Sequence, residues 1–355
     1  MTEGLEAGWQ RQFASDNTAG VCPEAMEALL AASRGWLPSY GNDELTRQVC
    51  DRLRDVFETD CDVYFVFNGT AANALALAAM CQSYHSVICA DSAHVETDEC
   101  GAPEFFSNGT KLLKAGTENG RIRLAEITAL VRRRSDIHYP RPRVVSITQA
   151  TELGTVYSAA QVAAVAAEAR ALGLGVHMDG ARFANAVAAL GCAPADLSWR
   201  AGVDVLCFGG TKMGLPVGEA VVFFDRALSA EFAWRCKQAG QLASKMRYLS
   251  APWLGMLAGD AWLSHARHAN RMAERLAERL VKLPGVSLHA PREANGVFVN
   301  LPQHCANQLR ASGVDFYTFI GGAARFMCSW ATTEAAVDEL AQRIESLISE
   351  TRTAP

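Results

Sequence analysis

The sequence predicts an α/β protein with a large domain on a mostly parallel central sheet, followed by a smaller α+β domain. Three observations predict it. Between about residues 60 and 225, short apolar runs alternate with turns and alanine-rich amphipathic stretches, the pattern of strands interleaved with helices. Several runs are apolar throughout, as strands buried on both faces of a parallel sheet are. Beyond Pro252 the texture changes to long helical stretches and a few short strand-like runs. The 355 residues exceed the size at which one core usually keeps growing. The expected division is 1–251, including the N-terminal segment, and 252–355.

Taken in order, Val63 to Phe67 reads as the first strand and leads through Asn68-Gly69-Thr70 into a helix over Ala71 to Met80. Further strands are expected at Val87–Ala90, Val144–Thr148, Gly175–Met178, Val203–Phe208 and Ala220–Phe224. Helices that cover the sheet are expected at Leu124–Arg134 and at Ala159–Leu172, the latter closing at Gly173. One long helix is expected from Trp253 to Leu283, stopped by Pro284-Gly285. Strand-like runs follow at Val286–His289, Gly296–Leu301 and Ala323–Trp330, and the chain closes on an amphipathic helix over Thr333–Ser349.

Composition excludes several classes. Half the residues are hydrophobic and a fifth are charged, too apolar for a disordered chain. A net charge of -5 supplies no basic field to gather nucleic acid or anionic lipid, so neither partner is expected. Eleven scattered cysteines without a C-x-x-C pair do not read as a disulfide framework, and no cluster with ordinary metal-ligand spacing is seen. With no basic-then-apolar leader and no run of ~20 apolar residues, the expectation is a cytoplasmic protein.

In open α/β sheets ligands bind beyond the carboxyl ends of the strands, so the residues that follow each run are the candidates. Gly69 and Thr70 stand between a strand and the first turn of a helix, where free amides and the helix dipole favour a phosphate. Asp179 ends a strand three residues before Arg182, and a carboxylate there can pair with a protonated pyridine nitrogen. Lys212 follows a buried strand through Gly209-Gly210-Thr211. Each has an ordinary explanation alone: an N-capped turn, a structural Asp–Arg pair, a solvated lysine. Their order is harder to reach by chance, with 110 positions from Gly69 to Asp179 and 33 more to Lys212.

That arrangement is similar to the fold-type I enzymes dependent on pyridoxal 5'-phosphate (PLP), the transferase-like fold, over the first 225 or so residues. Nearly the whole chain resembles the threonine aldolase family, in particular the low-specificity L-threonine and phenylserine aldolases. The segments that carry the resemblance are Ser15-Asp16-Asn17, Tyr40-Gly41-Asn42-Asp43, Asn68 to Asn73, His94 to Ala102, Met178 to Arg182 and Gly209 to Lys212. It implies Lys212 as the amine that bonds PLP, with Gly69 and Thr70 at its phosphate. It further implies Asp179 at the ring nitrogen, and His94 stacked on the ring and taking the substrate's β-hydroxyl proton. Ser15, Tyr40, Arg182 and Arg325 are implied at the substrate, Arg182 also at the cofactor. Asp98 stands where many members have an aromatic residue, either beside His94 at the β-hydroxyl or as a solvated carboxylate. Lys237, in a basic stretch with Lys245 and Arg247, is implied to reach the cofactor region of a neighbouring subunit in a homotetramer built from dimers.

The implied reaction is retro-aldol cleavage of L-threonine, L-allo-threonine or a related β-hydroxy-α-amino acid to glycine and an aldehyde. β-Elimination or transamination on the same scaffold is the alternative. A nucleotide-binding oxidoreductase is disfavoured because no G-x-G-x-x-G follows an early strand.

Overall fold

The computed structural model describes residues 11–353. In chain order its strands are β1 Asp62–Val66, β2 His85–Ala90, β3 Lys111–Ala115, β4 Thr117–Glu118, β5 Arg121–Ile122, β6 Arg141–Thr148, β7 Gly175–Gly180, β8 Val205–Phe208, β9 Glu219–Phe223, β10 Ser287–Leu288, β11 Gly296–Asn300, β12 Tyr317–Thr318 and β13 Ala324–Met327. The central sheet has the order β1-β9-β8-β7-β6-β2-β3. Strands β8, β7, β6, β2 and β3 pair in parallel, and β9 runs antiparallel to both its neighbours. The mostly parallel α/β sheet expected from the apolar runs is therefore present. Parallel strands need crossovers, and the helices Gly69–Met80, Leu124–Arg132 and Ala159–Ala171 supply them. Ser158 and Gln161 form a reciprocal capping box at the start of the last of these.

The smaller sheet, β10-β11-β13-β12, is antiparallel throughout. The long helix expected over 253–283 is two helices, Arg247–Leu257 and Ala261–Leu280. They part where Gly259 and Asp260 both take φ 57°, a left-handed pair that breaks the helical hydrogen-bond ladder. Their amphipathic period continues across the break, which is why the sequence reads as one helix.

Two apolar cores form, and the change from one to the other falls inside the helix Ala261–Leu280: Trp262 and Ala266 join the large core, Met272 to Leu280 the small one. The N-terminal segment is shared as well. Phe13 is buried in the small core, bonded through its N–H to Asp315 O and through its carbonyl to Met327 N, at 2.9 and 2.8 Å. The cores thus divide the chain differently from a cut at 251.

One part of the large core bears directly on function. Phe208, the last residue of β8, meets Phe57, Trp253 and Trp262 edge-on at ring centroids 5.9, 5.1 and 5.5 Å apart. Each such ring stabilises the fold by roughly 1.5–3 kcal/mol through burial. Together they fix the strand end from which the turn to Lys212 departs.

Candidate active site

The carboxyl ends of β6, β7 and β8 open into a cavity of about 770 Å³, closed on the far side by β11, β12 and β13. Ser15, Gly69, His94, Asp98, Asp179, Arg182, Lys212 and Arg325 all line it. Residues more than three hundred positions apart are thereby gathered at one end of the sheet. Thr70 follows Gly69 in the first turn of its helix and is half-buried. Tyr40 and Lys237 are not brought to the cavity of their own chain; Lys237 Nζ stands 4.9 Å over the Tyr40 ring instead.

Lys212 sits on a single 3-10 turn, Thr211–Met213, after β8. The two glycines before it are required by space: a Cβ at Gly209 would lie 2.5 Å from Ala181 O, and one at Gly210 2.4 Å from Gly218 O. The Gly210 N–H is held by the buried Glu219 carboxylate on β9. Burial first, and then the Arg182 charge, push the Lys212 amine below its ordinary pKa. A lysine so placed keeps a reactive neutral fraction.

Asp179 Oδ1 accepts from Ala181 N at 2.9 Å and Oδ2 from Asn73 Nδ2 at 2.9 Å. The same Asn73 nitrogen donates to Glu99 Oε1 at 2.8 Å, and Glu99 Oε1 meets His94 Nδ1 at 2.9 Å. Burial raises the Glu99 carboxyl, while the hydrogen bond to Glu99 raises His94 against the opposing effect of its own burial. Glu152, after β6, accepts from His94 N at 3.0 Å and Thr148 Oγ1 at 2.8 Å. Burial pushes its carboxyl up to about 7.

Arg182 donates through Nε and Nη2 to both oxygens of Asp16, at 2.7 and 2.9 Å. Burial would raise the Asp16 carboxyl, but the charges of Arg182 and Lys212 overcome it and hold it below its usual range. Asp16 also accepts from Asn295. Across the cavity Arg325 donates from Nη2 to Ala14 O at 3.1 Å, beside the Tyr317 and Phe319 rings. Its buried Nε has no hydrogen-bond partner among the described residues.

Asp16, Asn73, Glu99, Glu152 and Asn295 were not singled out by the sequence reading, although Asp16, Asn73 and Glu99 lie in segments it quotes. Asp98 lines the cavity but is exposed, whereas Glu99, one position later, is the buried carboxylate. Away from the cavity the fold also gathers Cys22, Glu24 and His265, with one potential ligand atom of each within 4.8 Å of the others. Glu24 Oε2 and His265 Nε2 already bond one another there at 3.0 Å.

The residues present fit PLP on two structural grounds. Asn68 caps its helix by accepting Ala71 N on its side chain and Ala72 N on its carbonyl, so the amides of Gly69 and Thr70 precede the bonded turns, where a helix N-terminus suits an anion. Opposite them stand a buried amine and a carboxylate.

The comparisons with known proteins agree with this geometry. The sequence profile of the beta-eliminating lyase family matches residues 12–303. A low specificity L-threonine aldolase of Pseudomonas aeruginosa is 62% identical over 94% of this chain and 97% of its own length. This chain belongs to the threonine aldolases of the beta-eliminating lyase family. A second threonine aldolase, from another Pseudomonas species, is 59% identical over 96% of this chain and 98% of its own. The structure of Leishmania major threonine aldolase superposes with a TM-score of 0.89 at 26% identity, covering 95% of this chain and 99% of that one. The fold-type I architecture expected from the motif order is thereby established. No helix among the described residues is long and apolar enough to cross a membrane.

Proposed function

We propose that this chain is a PLP-dependent low-specificity L-threonine aldolase that cleaves L-threonine, L-allo-threonine or a related β-hydroxy-α-amino acid to glycine and an aldehyde. The observation that carries the reading is the convergence of Lys212, Asp179, His94 and the Gly69 turn on one cavity that also holds two arginines. Relatives about 60% identical over nearly their whole length bear that name.

Lys212 would bond the cofactor, Gly69 and Thr70 hold its phosphate, Asp179 its ring nitrogen and His94 one face of its ring. Bound there, PLP supplies an electron sink for the pair left on Cα when the Cα–Cβ bond breaks. The chain's own residues supply the rest. Arg325 Nε, buried and without a partner among the described residues, offers a charged donor to the substrate carboxylate, with Ser15 at the cavity wall. Arg182, two of whose nitrogens are committed to Asp16, keeps Nη1 for the same carboxylate. A carboxylate fixed at two points would set the orientation of the substrate's Cα bonds. His94 takes the β-hydroxyl proton on Nε2, directly or through water, a step suited to a group titrating near neutrality. Asp98, at the cavity edge, would help hold that hydroxyl.

Tyr40 and Lys237 are assigned to a neighbouring subunit's site in a homotetramer built from dimers. What supports this is their absence from their own cavity and the wholly exposed Trp36 four residues before Tyr40. Eleven free cysteines support a reducing, cytoplasmic setting.

A proton NMR time course of the PLP-loaded protein with L-threonine tests the reading. Glycine and acetaldehyde should form in equal amounts. Ammonia with 2-oxobutyrate, or no turnover by a coloured protein, would overturn the aldolase assignment and leave the fold-type I reading intact.

A further inference from the structure

One hydrogen-bonded chain in the cavity wall contains two residues, Glu99 and Asn73, that have no part in the reaction just described. It runs His94 Nδ1, Glu99 Oε1, Asn73 Nδ2, Asp179 Oδ2, with separations of 2.9, 2.8 and 2.9 Å. Glu99 and Asn73 are 3% and 2% exposed, so water does not compete for these bonds. Asn73 has two amide hydrogens on one nitrogen and gives one to each carboxylate, a neutral donor set between two acids. Glu99 Oε1 therefore accepts from Asn73 and meets His94 with the same oxygen.

We propose that Glu99, propped by Asn73, is a positioning residue for His94: it fixes the imidazole as the Nδ1–H tautomer, so that Nε2 is the nitrogen free to accept the substrate's proton. This rests on the reading of His94 as the proton acceptor. The physical argument is that neutral imidazole has one donor and one acceptor nitrogen, and the partner of the first decides the role of the second. A carboxylate with no exposed side-chain surface beside Nδ1 makes the reverse tautomer costly, because it would set a lone pair against an anion. It also stabilises the imidazolium that forms once Nε2 has taken the proton.

The groups that face His94 come from four elements. Glu99 lies on its own segment, Asp179 stands one residue before the end of β7, Lys212 follows β8, and Glu152 follows β6 and bonds the His94 backbone. Glu99 and Asp179 favour the charged ring, and Lys212 and burial oppose it.

The test is deuterium exchange at imidazole C2, followed peptide by peptide by mass spectrometry across pH on the PLP-loaded protein. It reads the titration midpoint of each histidine without reference to turnover. In wild type the His94 midpoint should lie above that of an ordinary histidine. In Glu99→Gln it should fall by about one pH unit, a tenfold loss of proton affinity, with visible absorption retained. Asn73→Ala, which leaves Glu99 in place but removes its donor, should give a smaller fall and carries the test if Glu99→Gln does not fold. An unchanged His94 midpoint in a folded, coloured variant overturns the proposal. Glycine formation from L-threonine is measured in parallel, so a failed aldolase reading is seen separately from a failed positioning role.

Discussion

The two ends of the central sheet both carry charged clusters, and they are built on opposite principles. At the amino-terminal ends Arg170 donates to both oxygens of Asp204, at 2.5 and 2.9 Å, and to the carbonyls of Leu174 and Gly202. Asp204 also accepts Val176 N at 2.7 Å. The group is closed on itself, and it pins β7, β8 and the helix Ala159–Ala171 together. A cavity of about 550 Å³ lies there too, and Arg170 and Asp204 in its wall are already paired with one another. At the carboxyl ends, Asn73 Oδ1, Glu99 Oε2, Glu152 Oε2, Asn295 Oδ1 and Arg325 Nε are buried without partners among the described residues. A buried polar atom without a partner costs about 1–3 kcal/mol. Such a set persists where the fold is organised around something other than its own stability.

The contrast can be broken or sharpened by substitution. The largest effect is expected at Lys212: Lys212→Ala should lose the visible absorption of the loaded protein together with turnover, and a variant that keeps the band would remove Lys212 from its role. Next, His94→Asn should lower kcat by roughly 10²–10⁴-fold while cofactor content, read by absorbance, changes little. At Glu152 the effect should depend on pH. Its folded pKa of about 7 lies above the ordinary value, so the stability it allows is present at low pH and lost as pH rises toward 7. Glu152→Gln should therefore raise the melting temperature of the cofactor-free protein at pH 8, on the order of 3 kcal/mol at most, and not at pH 4. Arg325→Gln should raise KM for L-threonine by roughly 10- to 100-fold, the worth of a charged hydrogen bond. Smallest for activity is the opposite end: Asp204→Asn should lower the melting temperature by a few degrees and leave kcat and KM unchanged. A fall in kcat there would show that the two ends are not independent.

Much of this was legible in the sequence because strand ends announce themselves. Each apolar run of the central sheet ends within a residue or two of its expected place, and in an open α/β sheet ligands bind beyond the carboxyl ends of the strands. Gly69, Asp179, Arg182 and Lys212 could be found that way. Glu99 could not. The helix His94–Thr97 stops after four residues, and Cys100 and Gly101 then take φ 52° and 75°, so that of two adjacent acids Asp98 stays exposed and Glu99 is buried. Nothing in a row of acidic letters fixes that choice. Asp16 was hidden differently: its partner Arg182 is 166 positions away, and the N-terminal segment is brought across the cavity by its bonds to Asp315, Met327 and Arg325. The break at Gly259 was missed because two helices with a continuous amphipathic period read as one.

The most direct test of the central claim, that the open carboxyl end of the sheet is the reactive one and Lys212 its covalent centre, is chemical. The PLP-loaded protein is reduced with borohydride, digested, and searched by mass spectrometry for the lysine that carries the pyridoxyl group. The account predicts one modified peptide, containing Lys212. The group on another lysine, or on none in a protein that still turns over L-threonine, would contradict it.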